Sequence, residues 1–193
     1  MEIRSSYLHN NFGQVFLQTI LAFPPYSIVE VGVLDGYSLL HMAIAIEKLG
    51  SNVVIDAYDL WEDYEYNHGN MDDVKKLLSL RNVSHLVNLH KENAYEVHKK
   101  YENNMVDFLH FDISNDGDVF DFVMEKWTPK MRHCGLIFFE GGSEERDNVD
   151  WMVKYNKKPI RPAINSNKIA NENYIYGTFS KFPSLTVMKK VTR

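Results

Sequence analysis

Five times along this chain a short run of β-branched and aromatic residues gives way to a helical pattern, and that alternation constrains the fold more than any other feature. The apolar runs are SIVEV (27–31), NVVIDAYD (52–59), LVNLHK (86–91), VDFLHFDI (106–113) and GLIFFE (135–140). The helical patterns that follow them cover 38–49, 71–80, about 95–101, 118–127 and 144–155. In the fourth helix Val119, Phe120, Phe122, Val123 and Trp127 form the apolar stripe. Strands apolar on both faces, each followed by a crossover helix, predict a doubly wound α/β fold: a mostly parallel sheet covered by helices, with right-handed connections. The tail breaks the rhythm, because YIYGTFSKF and SLTVMKK flank Pro183 closely enough to pair antiparallel at one sheet edge. Seven strands result. Residues 159–173 carry no clear pattern.

Ahead of the Pro24-Pro25 turn, Phe12, Val15, Phe16, Thr19 and Ile20 recur at helical spacing. The chain therefore reads as a single domain over 1–193, with an N-terminal helical extension at 1–26 and a core at 27–193. Its 193 residues, 45% hydrophobic, are enough to bury one sizeable core. A net charge of -5 gives no general attraction for nucleic acid or an anionic membrane surface. No run approaches the ~20 apolar residues that span a bilayer, and the N-terminus has no signal-type apolar core. Cys134 is the only cysteine, so neither an internal disulfide nor a cysteine-rich zinc site can form. A reducing, cytoplasmic setting is expected, and a homo-oligomer is compatible with the sequence.

Ligands of doubly wound sheets bind outside the carboxyl ends of the strands. Those ends read Glu30-Val31-Gly32, Asp59, Asn93-Ala94, Asp112 and Glu140-Gly141-Gly142. After the first strand, Gly32 and Gly36 stand four apart in a turn before a helix that Ser38 could cap. The second glycine of a dinucleotide G-x-G-x-x-G fingerprint would fall on Leu34, and no G-x4-G-K-[ST] is present. Glu30 and Asp35 would repel a pyrophosphate but tolerate a ligand bearing a sulfonium and an ammonium.

In this order, E-x-G-x-x-x-G-x-S after the first strand, an acid closing the second and a C-terminal antiparallel hairpin resemble a class I S-adenosylmethionine-dependent methyltransferase. The small O-methyltransferase-like branch is the nearest likeness, and its ordered motifs cover residues 27–142. The resemblance implies a Rossmann-like fold. It places Glu30, Gly32 and Gly36 around the methionine part of S-adenosylmethionine, with Ser38 opening the helix beneath. Asp59 would accept both ribose hydroxyls, as two carboxylate oxygens suit two adjacent donors. Asp56 is the rival for that role. Asn93 and Ala94 match the adenine position, with a plain helix cap at Asn93 as the alternative.

Methyl transfer is an in-line displacement that asks the protein chiefly to align the acceptor and exclude water. A hydroxyl acceptor benefits from a base, and Asp112 is the family-like candidate for that catalytic role. Asp112 with Glu140 forms an acidic pair able to hold a divalent cation such as magnesium. The metal-dependent branch, however, carries Asp-Asn where this chain has Glu140-Gly141, and the fourth-strand loop DISNDGD has no histidine where related enzymes often place one. Asp116 and Asp118 read as shaping a loop and capping the next helix. Ser143 reads as a helix start, and the eight histidines as surface or packing residues. The segment 59–74 reads either as a solvated connection or as a cover carrying Tyr64 and Tyr66.

The leading expectation is methyl transfer to a small-molecule acceptor, a hydroxyl of sugar or natural-product type. A catalytically silent S-adenosylmethionine-binding module and an NAD-dependent oxidoreductase are the alternatives.

Overall fold

The computed structural model describes residues 3–193. It contains seven strands in a mixed, mostly parallel sheet ending in an antiparallel pair. This is the α/β fold that the alternation predicts, in the Rossmann-like form that the resemblance implies. Among the described residues no helix is long and apolar enough to cross a membrane. The chain divides into two compact units, Met1–Val97 and His98–Arg193.

In the first unit, α1 (Gly13–Ala22) precedes β1 (Ile28–Val31), α2 (Tyr37–Lys48), β2 (Ile55–Asp59), α3 (Met71–Leu80), β3 (Val87–Lys91) and α4 (Ala94–Val97). β2 lies between β1 and β3, parallel to both, with Glu30 level with Ala57 and Asp59 level with Lys91. All four residues of β1 are buried, as expected of a parallel strand. α1 packs on α2; Phe16, Leu17 and Ile20 are buried, and Gly13 sits against the His41 ring, where a Cβ would approach within 2.5 Å. Asn70 caps α3 by accepting from Asp73 N at 3.0 Å, so this helix spans the residues its periodicity predicts.

In the second unit, β4 (Val106–Phe111), α5 (Gly117–Trp127) and β5 (Met131–Glu140) come first. Four short helices follow: α6 (Glu144–Asp147), α7 (Asp150–Lys154), α8 (Ile160–Ser166) and α9 (Lys168–Asn173). The chain then closes with β6 (Tyr174–Phe179) and β7 (Leu185–Lys190). β4 and β5 are parallel, while β7 is antiparallel to both β5 and β6. Phe108 stacks on Phe138 at 4.5 Å and Phe120 meets Phe139 edge-on at 5.3 Å, offset and tilted contacts that aromatic quadrupoles favour. The buried stripe of α5 includes Met124 in place of the expected Phe122, which is half-buried beside His98.

Two expectations change. The helix predicted over 144–155 is two helices, because Asn148 turns its side-chain amide onto the Glu144 carbonyl at 2.8 Å and Val149 is extended. The pattern-poor segment 159–173 is helical, nucleated by caps: Asp147 accepts from Ile160 N and Arg161 N at 2.7 and 2.9 Å, and Asn167 from Ala170 N at 2.9 Å.

Candidate functional site

At the end of β1 the chain enters a tight turn whose φ angles are +88° at Gly32, +52° at Leu34 and +79° at Gly36. Gly36 is the N-cap of α2 and has no side chain with which to cap it. Ser38 does not cap this helix as expected. It lies inside the first turn, buried, and its hydroxyl donates to Glu30 Oε1. Glu30 is itself fully buried, so the acid of β1 and the opening of α2 are joined beneath the turn.

Asp59, the last residue of β2, reaches the same turn. Its Oδ2 accepts from Val33 N at 2.7 Å and Leu34 N at 3.1 Å, and its Oδ1 from Trp61 N at 2.8 Å. Leu34 and Trp61 are both left-handed, with φ of +52° and +53°, a conformation that costs a non-glycine residue about 1–2 kcal/mol. Their amides are held by one carboxylate, and strain held this way recurs at ligand clamps. A carboxylate offers about four acceptor positions; three are in use here. Asp56 faces elsewhere, accepting from Asn88 at 3.1 Å and lying 2.9 Å from His90 Nε2. Of the two rivals, Asp59 is the one at the glycine turn. Trp61 is fully buried, its indole donating to His90 O at 2.9 Å.

Residues 67–69 lie on the turn as well. Gly69 passes so close to Leu34 that a Cβ would come within 1.8 Å of the Leu34 carbonyl oxygen, and only glycine fits. Arg4 ties the two segments together. Its Nε and backbone N donate to Asp35 Oδ2 at 2.7 and 2.9 Å, and its Nη2 to Asp35 Oδ1 at 2.7 Å. From the same guanidinium, Nη1 donates to Asn67 Oδ1 at 2.9 Å and Nη2 to His68 O at 2.8 Å. Arg4 holds the Asp35 carboxyl below its usual range, against a smaller upward push from burial. Tyr64 and Tyr66, in the same segment, pack edge to face at 5.5 Å.

Asn93 stands before α4 and accepts from Tyr95 N at 3.0 Å, the capping geometry of the alternative reading. Ala94 opens that helix.

In the second unit Asp112 directly follows β4 and is half-buried. Asn115, fully buried, donates to Phe111 O at 3.1 Å and Glu140 O at 3.0 Å, tying the ends of β4 and β5 together. Asp116 caps α5 through Asp118 N and Val119 N, both at 3.0 Å, whereas Asp118 is exposed and faces Lys158. Ser143 caps α6, accepting from Arg146 N at 3.1 Å.

Glu140 is buried and paired with the equally buried Arg146. Arg146 Nε donates to Oε1 at 2.6 Å, and Nη2 donates to Oε2 at 2.9 Å and to Asn115 O at 3.2 Å. Trp151 lies 5.0 Å from the guanidinium carbon. Burial pushes the Glu140 carboxyl up, the Arg146 charge and its hydrogen bonds pull it down, and Asp112 and Asp147 add to the rise. Burial pulls the Arg146 guanidinium down, but facing Glu140, with Asp112 and Asp147, more than offsets this and raises it. The two-point contact is that of a carboxylate, and we read the pair as charged.

Arg4 and Arg146 are the functional-site residues that sequence reasoning missed. The signal for Arg146 was a single basic residue six positions after the acid that closes β5; Arg4 had none, since its partner lies 31 residues away.

This arrangement defines a class: Rossmann-like α/β proteins with a glycine turn after the first strand and an acid closing the second. Solved structures of the same fold include a methyltransferase from Geobacter sulfurreducens, with TM-score 0.67, 12% identity and coverage of 94% of this chain and 79% of that one. An O-methyltransferase from Bacillus cereus, solved with SAH, gives 0.65, 16%, 94% and 81%. TomG from Streptomyces achromogenes, an O-methyltransferase involved in tomaymycin synthesis and solved with SAM, gives 0.62, 15%, 97% and 87%. No curated protein sequence matches the chain. Residues 29–140, more than half its length, match the methyltransferase domain family, and the chain belongs to that family.

Proposed function

We propose that the protein transfers a methyl group from S-adenosylmethionine to a hydroxyl of a small-molecule acceptor. The observation that carries this reading is the carboxylate pair at the glycine turn. Glu30 lies buried beneath it and Asp59 is pinned to its backbone, so the cradle suits a cationic cofactor and opposes a pyrophosphate. Membership of the methyltransferase domain family supports the same reading.

Bound S-adenosylmethionine supplies an electrophilic methyl group on a sulfonium. Glu30, Gly32, Gly36 and Ser38 would hold its methionine side, Asp59 its ribose, and Asn93 with Ala94 its adenine. Asp59 has about one acceptor position to spare while it holds the turn. One ribose hydroxyl can therefore bind without disturbance, and a second requires the Trp61 amide to yield its bond. Asp112 is the candidate base for the acceptor's proton. Residues 1–193 would serve as one methyltransferase domain, with 1–26 as its helical extension.

Calorimetric titration with S-adenosylmethionine and S-adenosylhomocysteine tests the reading. Both should bind, and Asp59→Ala and Gly32→Val should each weaken binding at least tenfold. Absence of heat at millimolar cofactor would overturn it, and NADH quenching the protein's fluorescence would favour the oxidoreductase instead. Binding without turnover over a broad panel of hydroxyl acceptors would point to the silent module.

A further inference from the structure

Paired carboxylates at the ends of β4 and β5 raise the question of what balances their charge. A hard divalent cation needs oxygen ligands whose negative charge is not already met by another cation. At Glu140 both oxygens already accept from Arg146, at 2.6 and 2.9 Å, and the carbonyls of Glu140 and Asn115 accept from Asn115 and Arg146 in turn. Gly141, the next residue, brings no side-chain ligand. The polar atom left over is of the opposite kind, since Arg146 Nη1 is buried without an acceptor. What this spot lacks is an oxygen, not a cation. Among the described residues no group of three or more His, Cys, Asp or Glu side chains is arranged to hold a metal.

We propose that Arg146 is the resident cation of this acidic pair: its guanidinium, locked onto Glu140 and backed by Asn115 and Trp151, takes the place a divalent cation would occupy, and the protein works without one. A guanidinium suits the task, because its planar fork matches a carboxylate at two points and it stays charged when buried. The pair also stands next to Asp112, whose charge raises both groups. The inference does not rest on the methyl-transfer reading, because the ion pair stands without it.

The test is metal titration of the full chain. Magnesium and manganese chloride should give no saturable heat with the wild-type protein, and neither salt nor EDTA should shift its Tm. In Arg146→Met, which frees the acids, the Tm should fall and manganese should raise it again. Arg146→Lys should recover part of the loss without becoming manganese-sensitive. Saturable metal binding by the wild-type chain that disappears in Glu140→Gln would overturn the proposal, as would an Arg146→Met protein indifferent to manganese. Should Arg146→Met not fold, the wild-type titration and Glu140→Gln decide between the two outcomes. None of these readouts needs cofactor or acceptor, so failure of S-adenosylmethionine binding would leave this result intact.

Discussion

At the scale of single residues, the candidate site depends on a few side chains that each serve several backbone groups. Asp59 holds three amides, two of them on left-handed residues, so its loss costs more than a ligand contact. Asp59→Ala should destabilise the protein by about 1–3 kcal/mol, the cost of buried donors left without an acceptor, read as a lower denaturant midpoint at unchanged slope. Asp59→Asn, which keeps one acceptor oxygen, should cost less. Arg4 and Asp35 form a different kind of contact: more than half of the Arg4 side chain is exposed, so the ion pair is worth no more than about 1 kcal/mol. Its effect is local and depends on pH. The folded-state pKa of Asp35 is lowered, so its stabilisation is present above the ordinary aspartate value, about 3.9, and is lost as pH falls through the lower folded value. Hydrogen exchange should show amides 67–70 protected at pH 7, and less so in Arg4→Ala at the same pH; equal protection in the two proteins would remove Arg4 from this role. The acids were legible in the sequence because they close strands, and strand ends are where doubly wound folds place their ligands. The arginines were not, because a basic side chain carries no periodic signal and its partner is fixed only by the tertiary fold.

At the scale of elements, periodicity was a good guide wherever burial sets the pattern and a poor one wherever side-chain-to-backbone bonds do. α3 and α5 present apolar stripes to the core and stand within a residue of their predicted bounds. α8 and α9 begin where Asp147 and Asn167 cap them, and the former cap comes from thirteen residues upstream, which no local pattern reveals. The start of α2 follows the same logic at the site itself. The sequence offers Ser38 as its cap, yet the helix begins on left-handed Gly36, and Ser38 is left to bind Glu30. Gly36→Ala should therefore cost about 1–2 kcal/mol from backbone strain alone. The new Cβ would also lie 3.1 Å from Val74 Cγ1, a contact that needs α3 to give way slightly. The Tm should drop by several degrees, and S-adenosylhomocysteine affinity should fall with it. An unchanged Tm would mean that the turn tolerates the side chain by adopting another path.

At the scale of the whole molecule, the question is whether Met1–Val97 and His98–Arg193 melt as one body. The methyltransferase domain match runs from residue 29 to residue 140 and so crosses the boundary at Val97 without a break. Neither unit holds all of the strand-end residues read from the sequence: Glu30, Gly32, Gly36, Asp59 and Asn93 belong to the first, and Asp112 and Glu140 to the second. A single domain over 1–193 predicts one calorimetric transition whose van't Hoff and calorimetric enthalpies agree. At about 0.7 kcal/mol per residue near 60 °C, the 193 residues should give an enthalpy on the order of 130 kcal/mol. Two units melting separately would halve the van't Hoff value while leaving the calorimetric total unchanged. Variants supply a second criterion, since Gly36→Ala lies in one unit and Glu140→Gln in the other. In a cooperative domain both lower the same transition. If each displaces a different one, the single-domain reading fails, and the family match would then span two folding units.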